Sequence, residues 1–201
     1  MTWQRVAAVL TALALFAAGC ADDDADVIPT EPLTYDRAGI GFAYPGDWEI
    51  LEHLMPEDGI DATDGASAAV GRIDAAGNLV GIAVRTSPAV PPVPPGEEHN
   101  FLEATLDRHA DEIWGEGTVR ETEWTTLDGR DARRYLVDYT ARGEQLTNQV
   151  TVSAEGSRVV VVQCQAPADA FDLIVPWCAM VTGTLQIDLT AYTDSAEDAS
   201  S

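Results

Sequence analysis

The residues best able to do chemistry in this sequence are three histidines, three cysteines and scattered carboxylates. His53, His99 and His109 are far apart in the chain, and none lies in an HExxH frame. His109 precedes Asp111 and Glu112 on a predicted helix, so a metal-dependent hydrolase is one hypothesis, although a half-exposed helical histidine is the more ordinary interpretation. No GxSxG motif is present. The sequence therefore favours a protein without a catalytic centre and without a cofactor.

A second group of candidate ligands lies in the segment MPEDGIDATDGAS, residues 55–67. Its carboxylates belong to Glu57, Asp58, Asp61 and Asp64. Carboxylate oxygens on a glycine-containing loop suit Ca²⁺, but the spacing is not that of an EF-hand. Asp58, Asp61 and Asp64 are therefore weak metal candidates, and a solvated acidic loop is the alternative.

The basic residues are concentrated at one place, the segment GRDARR. Arg130, Arg133 and Arg134 could together contact a carboxylate or a phosphate, because guanidinium groups bind such anions through paired hydrogen bonds. The alternative is that they balance neighbouring acids on the solvated face of a sheet.

The amino terminus has the pattern of an export signal. Residues 6–19 are apolar apart from Thr11, follow a positive segment and end in AAGC. Fourteen helical residues span about 21 Å, short of the roughly 30 Å hydrocarbon core, so a retained transmembrane helix is the weaker alternative. Small residues before a cysteine are typical of a bacterial lipobox, although Ala17 replaces the usual large aliphatic residue. We expect residues 1–19 to be a lipoprotein signal peptide and Cys20 to be lipidated; a plain cleaved signal peptide is the nearer competitor.

Charge separates the remaining chain into a core and two acidic ends. Residues 20–32 contain five acids and are expected to be a solvated tether, and residues 191–201 a disordered acidic tail. The segment 33–190, which we expect to be the folded domain, has 26 acidic residues against 10 arginines and no lysine, a formal net charge of −16. Such a charge excludes nucleic acid as a partner and gives no attraction to anionic lipid.

The remaining cysteines, Cys164 and Cys178, form an even pair in a chain predicted to be exported, and are therefore a disulfide candidate. They are 14 residues apart, and closing such a loop would stabilise the fold by about 3 kcal/mol. Two buried free thiols are the alternative.

Several segments alternate between apolar and polar residues, as strands with one solvated face do. In 133–141 Tyr135 and Val137 share one face, and in 146–154 Val150 and Val152 lie opposite a row of Thr, Gln and Ser side chains. Residues 158–164 are apolar on both faces and predict a central strand. The segment 88–96 predicts a stiff crossover before a helix that starts at Asn100. A turn over 169–174 and a helix from Pro176, with Cys178 facing the central strand, are expected near the end.

The segment GIGFAYPGDWEI, residues 39–50, resembles the opening of PsbP-like domains, a family that includes DcrB-type proteins and LpqN-type lipoproteins. Phe42, Tyr44, Pro45 and Trp48 match its hairpin motif, and the TGTLQI segment matches its end. The resemblance covers about 33–190 and implies a single α+β domain, an antiparallel β-sheet flanked by helices in an α-β-α sandwich. It supplies no catalytic residues.

These features together predict a lipid-anchored, non-catalytic binding or assembly module of the bacterial cell envelope, on the outer face of the cytoplasmic membrane. Its partners would be the membrane, through the anchor, and an envelope protein or small ligand that the sequence does not identify. Carriage of a small apolar or lipidic ligand is the alternative, and the metal-dependent hydrolase is the weaker one.

Overall fold

Two antiparallel sheets make up most of the computed structural model, which describes residues 31–51, 66–74, 77–88, 92–104 and 117–188. The smaller sheet has the strand order β1-β2-β10, and the larger has the order β3-β4-β5-β9-β8-β7-β6. The strands are β1 Leu33–Arg37, β2 Ile40–Tyr44, β3 Glu49–Ile50, β4 Ser67–Ile73, β5 Leu79–Pro88, β6 Thr118–Leu127, β7 Arg130–Ala141, β8 Glu144–Glu155, β9 Arg158–Pro167 and β10 Gln186–Ile187.

Tight turns build the large sheet from hairpins of consecutive strands. Asp128 and Gly129, between β6 and β7, both have positive φ angles, 51° and 76°. This is the backbone that two-residue hairpin loops require, and Asp-Gly is among the sequences that adopt it most readily. Strand β9 lies between β5 and β8, so the prediction of a central strand at 158–164 is confirmed.

Two helices are described, α1 Glu98–Leu102 and α2 Phe171–Thr184. The first helix begins two residues before the predicted start at Asn100. Glu97 is its N-cap residue, and the Asn100 side chain donates a hydrogen bond to the Glu97 carboxylate at 2.6 Å. The predicted start of the last helix near Pro176 is wrong, because α2 begins five residues earlier. Pro176 removes only the hydrogen bond to the Asp172 carbonyl, and the packing of the buried side of α2 outweighs that loss.

The helices lie on opposite faces of the large sheet, which confirms the predicted α+β architecture. Helix α2 and the small sheet cover one face, where Phe42, Tyr44 and Val181 pack against β5 and β9 side chains. Helix α1 covers the other face through Leu102, which packs on Val150 and Val152 of β8. The sequence predicted one sheet; the aromatic hairpin β1–β2 instead pairs with β10 in a sheet of its own.

Strand β8 corrects a second expectation, because its polar face is covered instead of solvated. Thr147, Thr151 and Ser153 are each at most 2% exposed. Thr147 Oγ1 donates to Asp138 Oδ1 at 2.7 Å, and Ser153 Oγ donates to the Asp131 carbonyl oxygen at 2.8 Å. These bonds offset the cost of burying hydroxyl groups, and they allow a polar row to lie inside the sandwich.

Helices long and apolar enough to cross a bilayer are absent from the described ranges.

Candidate functional site

Several predicted site residues lie outside the described residues. These are the lipidation site Cys20, the weak metal candidates Asp58, Asp61 and Asp64, and the histidines His53 and His109. In the part of the chain that the structure describes, no group of three or more His, Cys, Asp or Glu side chains is placed to hold a metal ion.

The predicted anion contacts Arg130, Arg133 and Arg134 lie on one strand, β7, but on two faces of the sheet. Arg133 is paired with Trp124 in the sheet register, and its guanidinium carbon lies 4.8 Å from the Trp124 ring centroid. Arg130 and Arg134 are on the opposite face, since residues separated by an odd number alternate. The three side chains therefore do not form a common anion site.

Acidic partners surround the two arginines that share a face. Arg130 forms ion pairs with Asp128 and Glu155, and Arg134 with Glu123 of the neighbouring strand. Burial opposes the charge of Arg130, but the hydrogen bonds and charges of Glu155 and Asp128 outweigh that effect and raise its pKa. The interpretation that these arginines balance neighbouring acids fits this arrangement.

His99, the only histidine within the described ranges, is engaged in packing. Its ring stacks on Trp124, with centroids 3.6 Å apart and planes 16° from parallel. Arg133 also contacts Trp124, so the tryptophan joins α1 to strand β7. This arrangement fixes the short helix on the sheet.

Cys164 and Cys178 lie together beneath α2. Cys164 is on the central strand β9, Cys178 is on α2, and both are at most 1% exposed. The predicted contact between the last helix and the central strand is present. Both cysteines are free in the structure and lie in contact with each other, and the disulfide between them stays a prediction. Burial, followed by the contact with Cys178, raises the pKa of the Cys164 thiol well above its usual range.

The outer surface of helix α2 is unusually apolar for a helix that packs on one face of a sheet. Among its fourteen residues only Asp172 is charged at neutral pH. Ile174, Cys178 and Val181 are buried against the sheet, while the opposite side exposes Leu173, Val175, Pro176, Ala179 and Gly183. Leu173 is 70% exposed and Val175 is 39% exposed. A surface helix usually carries charged or polar residues on its outer face, so this face, which we call the α2 apolar face, is a candidate binding surface.

A cleft of about 520 Å³ runs beside the α2 apolar face. Val175, Ala179 and Gly183 line it from the helix, and Arg134 and Gln149 line it from the sheet. The cleft forms because α2 has small side chains on the side that faces it, whereas the strands have long polar side chains there. An apolar wall and a polar wall therefore face each other across the cleft.

A second cleft of about 620 Å³ lies on the small sheet and shares Asp128, Thr184 and Gln186 with the first. Asp128 stands at the junction, where its carboxylate accepts hydrogen bonds from Arg130 and from the Ile187 backbone. The end of the β6–β7 hairpin is thereby attached to strand β10. The two clefts form one continuous surface around the last turn of α2.

This surface has the composition of a binding site more than of a reaction centre. In the first cleft Asp128 and Arg134 are ion-paired, and the other polar groups are hydroxyls and amides, Thr126, Thr182, Gln149 and Gln186 among them. Sequence reasoning did not select these residues. One signal was available: a fourteen-residue segment with one charged residue, in a chain where 22% of the residues are charged.

Comparison with known proteins gives structural likenesses only. No family model matches the chain, and no curated protein matches its sequence. Similar solved structures include a protein from Bacteroides thetaiotaomicron, with 13% identity and a TM-score of 0.48. The match covers 80% of this chain and 49% of the Bacteroides protein, so this chain spans about half of that protein's length.

Two further similar structures are PsbP-type and envelope proteins. One is CyanoP, the PsbP protein of Synechocystis, with 13% identity, a TM-score of 0.44, and coverage of 85% of this chain and 98% of CyanoP. The other is LpqN of Mycobacterium tuberculosis, described as involved in cell envelope biogenesis. It has 14% identity and a TM-score of 0.44, and the match covers 78% of this chain and 89% of LpqN. The strand order and the packed layers of this chain themselves define an α+β domain, with helices on both faces of an antiparallel sheet.

Proposed function

We propose that this protein is a lipid-anchored, non-catalytic binding module on the outer face of the bacterial cytoplasmic membrane. The observation that carries the binding role is the α2 apolar face, where Leu173 and Val175 are exposed on a helix with a single charged residue. The sequence supports the anchor, since an apolar segment ends at Ala-Ala-Gly-Cys20. A diacylglycerol group on Cys20 supplies two acyl chains, which anchor a protein stably where one chain does not.

The packing beneath α2 favours this role over carriage of an apolar ligand. A carrier needs an apolar cavity, and such a cavity would be expected between the helix and the sheet. That layer is filled by side chains, with Phe171, Ile174 and Val181 of α2 packed against Val162 and Ile82 of the strands. The clefts that do occur are open and partly polar, and they suit contact with another surface.

The anchor is tested by replacing Cys20 in the full chain and fractionating cells. Wild-type protein and the neighbouring control Ala21→Ser are expected in the membrane fraction, with an intact mass that includes a diacylglycerol group. Cys20→Ser is expected to lack that mass and to leave the membrane, because no acyl chain remains. Retention of Cys20→Ser in the membrane with an uncleaved signal would contradict lipid anchoring and favour a transmembrane helix.

A further inference from the structure

We propose that the α2 apolar face is the docking surface for an amphipathic segment of a partner protein that carries basic residues beside its apolar ones. This inference rests on the proposed binding function and names the chemistry of the partner.

The apolar part of the surface is continuous along the helix. Pro176, Ala179 and Gly183 follow each other at helical spacing on the outer side of α2, because residues three or four positions apart lie on one face. Val175 flanks this row on the side of the 520 Å³ cleft, and Leu173 flanks it on the other side. Covering such a row removes apolar surface from water at about 25 cal/mol per Å², and the adjoining cleft can receive a side chain of the partner.

The charges around this row are predominantly acidic. Asp169 and Asp172 are exposed at the beginning of the helix. The arginines beside the cleft are ion-paired, Arg134 with Glu123 and Arg130 with both Asp128 and Glu155. The surface therefore combines an apolar centre with a negatively charged rim, and a partner with basic residues at its rim is complementary to it.

The same charges disfavour two other occupants. A second copy of this chain docked through the same face would bring acidic rims together, and each segment 33–190 has a net charge of −16. An anionic lipid surface would be repelled for the same reason. A basic amphipathic segment is attracted by the rim and can bury the apolar row, so one partner chemistry satisfies both features.

The test uses the full lipidated protein in phosphatidylcholine nanodiscs, with empty nanodiscs as the blank. The probe is a fluorescent amphipathic Leu/Lys peptide of the length of α2, 14 residues, and the matched probe is its Leu/Glu analogue. Anisotropy titrations compare wild type with Leu173→Asp and Val175→Asp on the α2 apolar face. Ile73→Asp on strand β4 is the control. Ile73 is 38% exposed, close to the 39% of Val175, but it lies on a different element.

We expect each of Leu173→Asp and Val175→Asp to weaken binding of the Leu/Lys peptide about tenfold, as loss of a well-buried apolar contact in a complex does. Ile73→Asp should change the affinity for this peptide less than about twofold. Asp172→Asn should weaken the affinity about two- to fivefold, because it removes one exposed negative charge that can pair with a lysine of the peptide. The Leu/Glu peptide should bind much more weakly than the Leu/Lys peptide.

Three results would overturn the inference: equal losses in Ile73→Asp and Leu173→Asp, equal binding of both peptides, or no binding of the Leu/Lys peptide by wild type. Dimerisation of wild type that Leu173→Asp abolishes would also overturn it, because the face would then belong to a second copy. Retention of a fold by each variant is checked by circular dichroism. The anchoring experiment on Cys20 has a separate readout, so failure here is distinguishable from failure of the proposed location.

Discussion

The carboxylate of Asp128 accepts a hydrogen bond from the backbone N–H of Ile187 at 3.1 Å, across 59 positions of the chain. Asp128 belongs to the β6–β7 turn of the large sheet, and Ile187 to strand β10 of the small sheet. The same carboxylate forms an ion pair with Arg130. One side chain thus joins the two sheets at the point where the two clefts meet.

We predict that Asp128→Ala lowers the free energy of unfolding by about 2–3 kcal/mol, because it removes a charged hydrogen-bond acceptor and places a non-glycine side chain with no local hydrogen bond at a φ of 51°. Asp128→Asn keeps an acceptor oxygen and tolerates this backbone, so its loss should be below about 1 kcal/mol. Urea unfolding of the two variants measures the difference. Equal stability of both variants would show that the contact with Ile187 contributes nothing.

A close approach of two strands at paired glycines gives a second prediction. Gly71 and Gly81 are paired between β4 and β5, and a Cβ atom on Gly81 would overlap the Val70 carbonyl oxygen. Gly81→Ala should therefore destabilise the fold by about 2–3 kcal/mol, since the backbone must move apart.

The matched control for this prediction is Gly183→Ala on α2. A Cβ atom there meets no atom within 4 Å, and alanine favours the helix over glycine by up to about 1 kcal/mol. Thermal unfolding should shift in opposite directions for the two alanine variants. A shift of Gly81→Ala to higher temperature would contradict the close approach of β4 and β5.

A third prediction concerns the buried thiols. We predict that Cys164 and Cys178 form a disulfide in the exported protein, by exchange with an oxidising disulfide, in which the two thiols lose two protons and two electrons to the oxidant. Both side chains are buried under α2, so the bond must form before the helix closes on β9. The bond should add about 3 kcal/mol of stability, which reduction removes.

Alkylation of unfolded, unreduced protein followed by intact mass analysis measures this bond. The disulfide predicts that neither Cys164 nor Cys178 is labelled until a reductant is added. The double variant Cys164→Ala/Cys178→Ala is the control, because its thermal unfolding should not respond to reductant. Full labelling of both thiols without reductant would contradict the prediction and leave two buried free cysteines.

The fold class followed from local patterns, and the exceptions have tertiary causes. Alternation in 133–141 predicted strand β7, since that pattern depends only on neighbouring residues. The covered polar row of β8 was not predicted, because Thr and Ser at alternate positions of a strand usually indicate a face exposed to water. Here Thr147 and Ser153 are buried and donate hydrogen bonds to residues of β7. The path of α2 through Pro176 was missed for a similar reason: packing against the sheet, which lies far away in sequence, outweighs the local cost of proline.

The candidate site was harder to predict than the fold. The arginines Arg130, Arg133 and Arg134 are adjacent in sequence, yet the alternation of strand β7 separates Arg133 from the other two. The contact between Cys164 and Cys178 was predictable, because a central strand and the following apolar helix must pack together. The α2 apolar face was not, since an apolar helix in a sequence indicates burial, and only the structure shows that one side of α2 remains exposed.

The binding role of the α2 apolar face is tested most directly in cells that express the full chain with a photoreactive amino acid at position 173. Position 73, on strand β4, is the control because Ile73 is also an exposed apolar residue, at 38% against 39% for Val175 and 70% for Leu173, but lies outside helix α2 and the cleft beside it. We predict that irradiation of membranes gives a discrete cross-linked product from position 173, and none or only a diffuse background from position 73. Absence of a product at 173, or the same products at both positions, would contradict the account of this protein as a binding module that acts through α2.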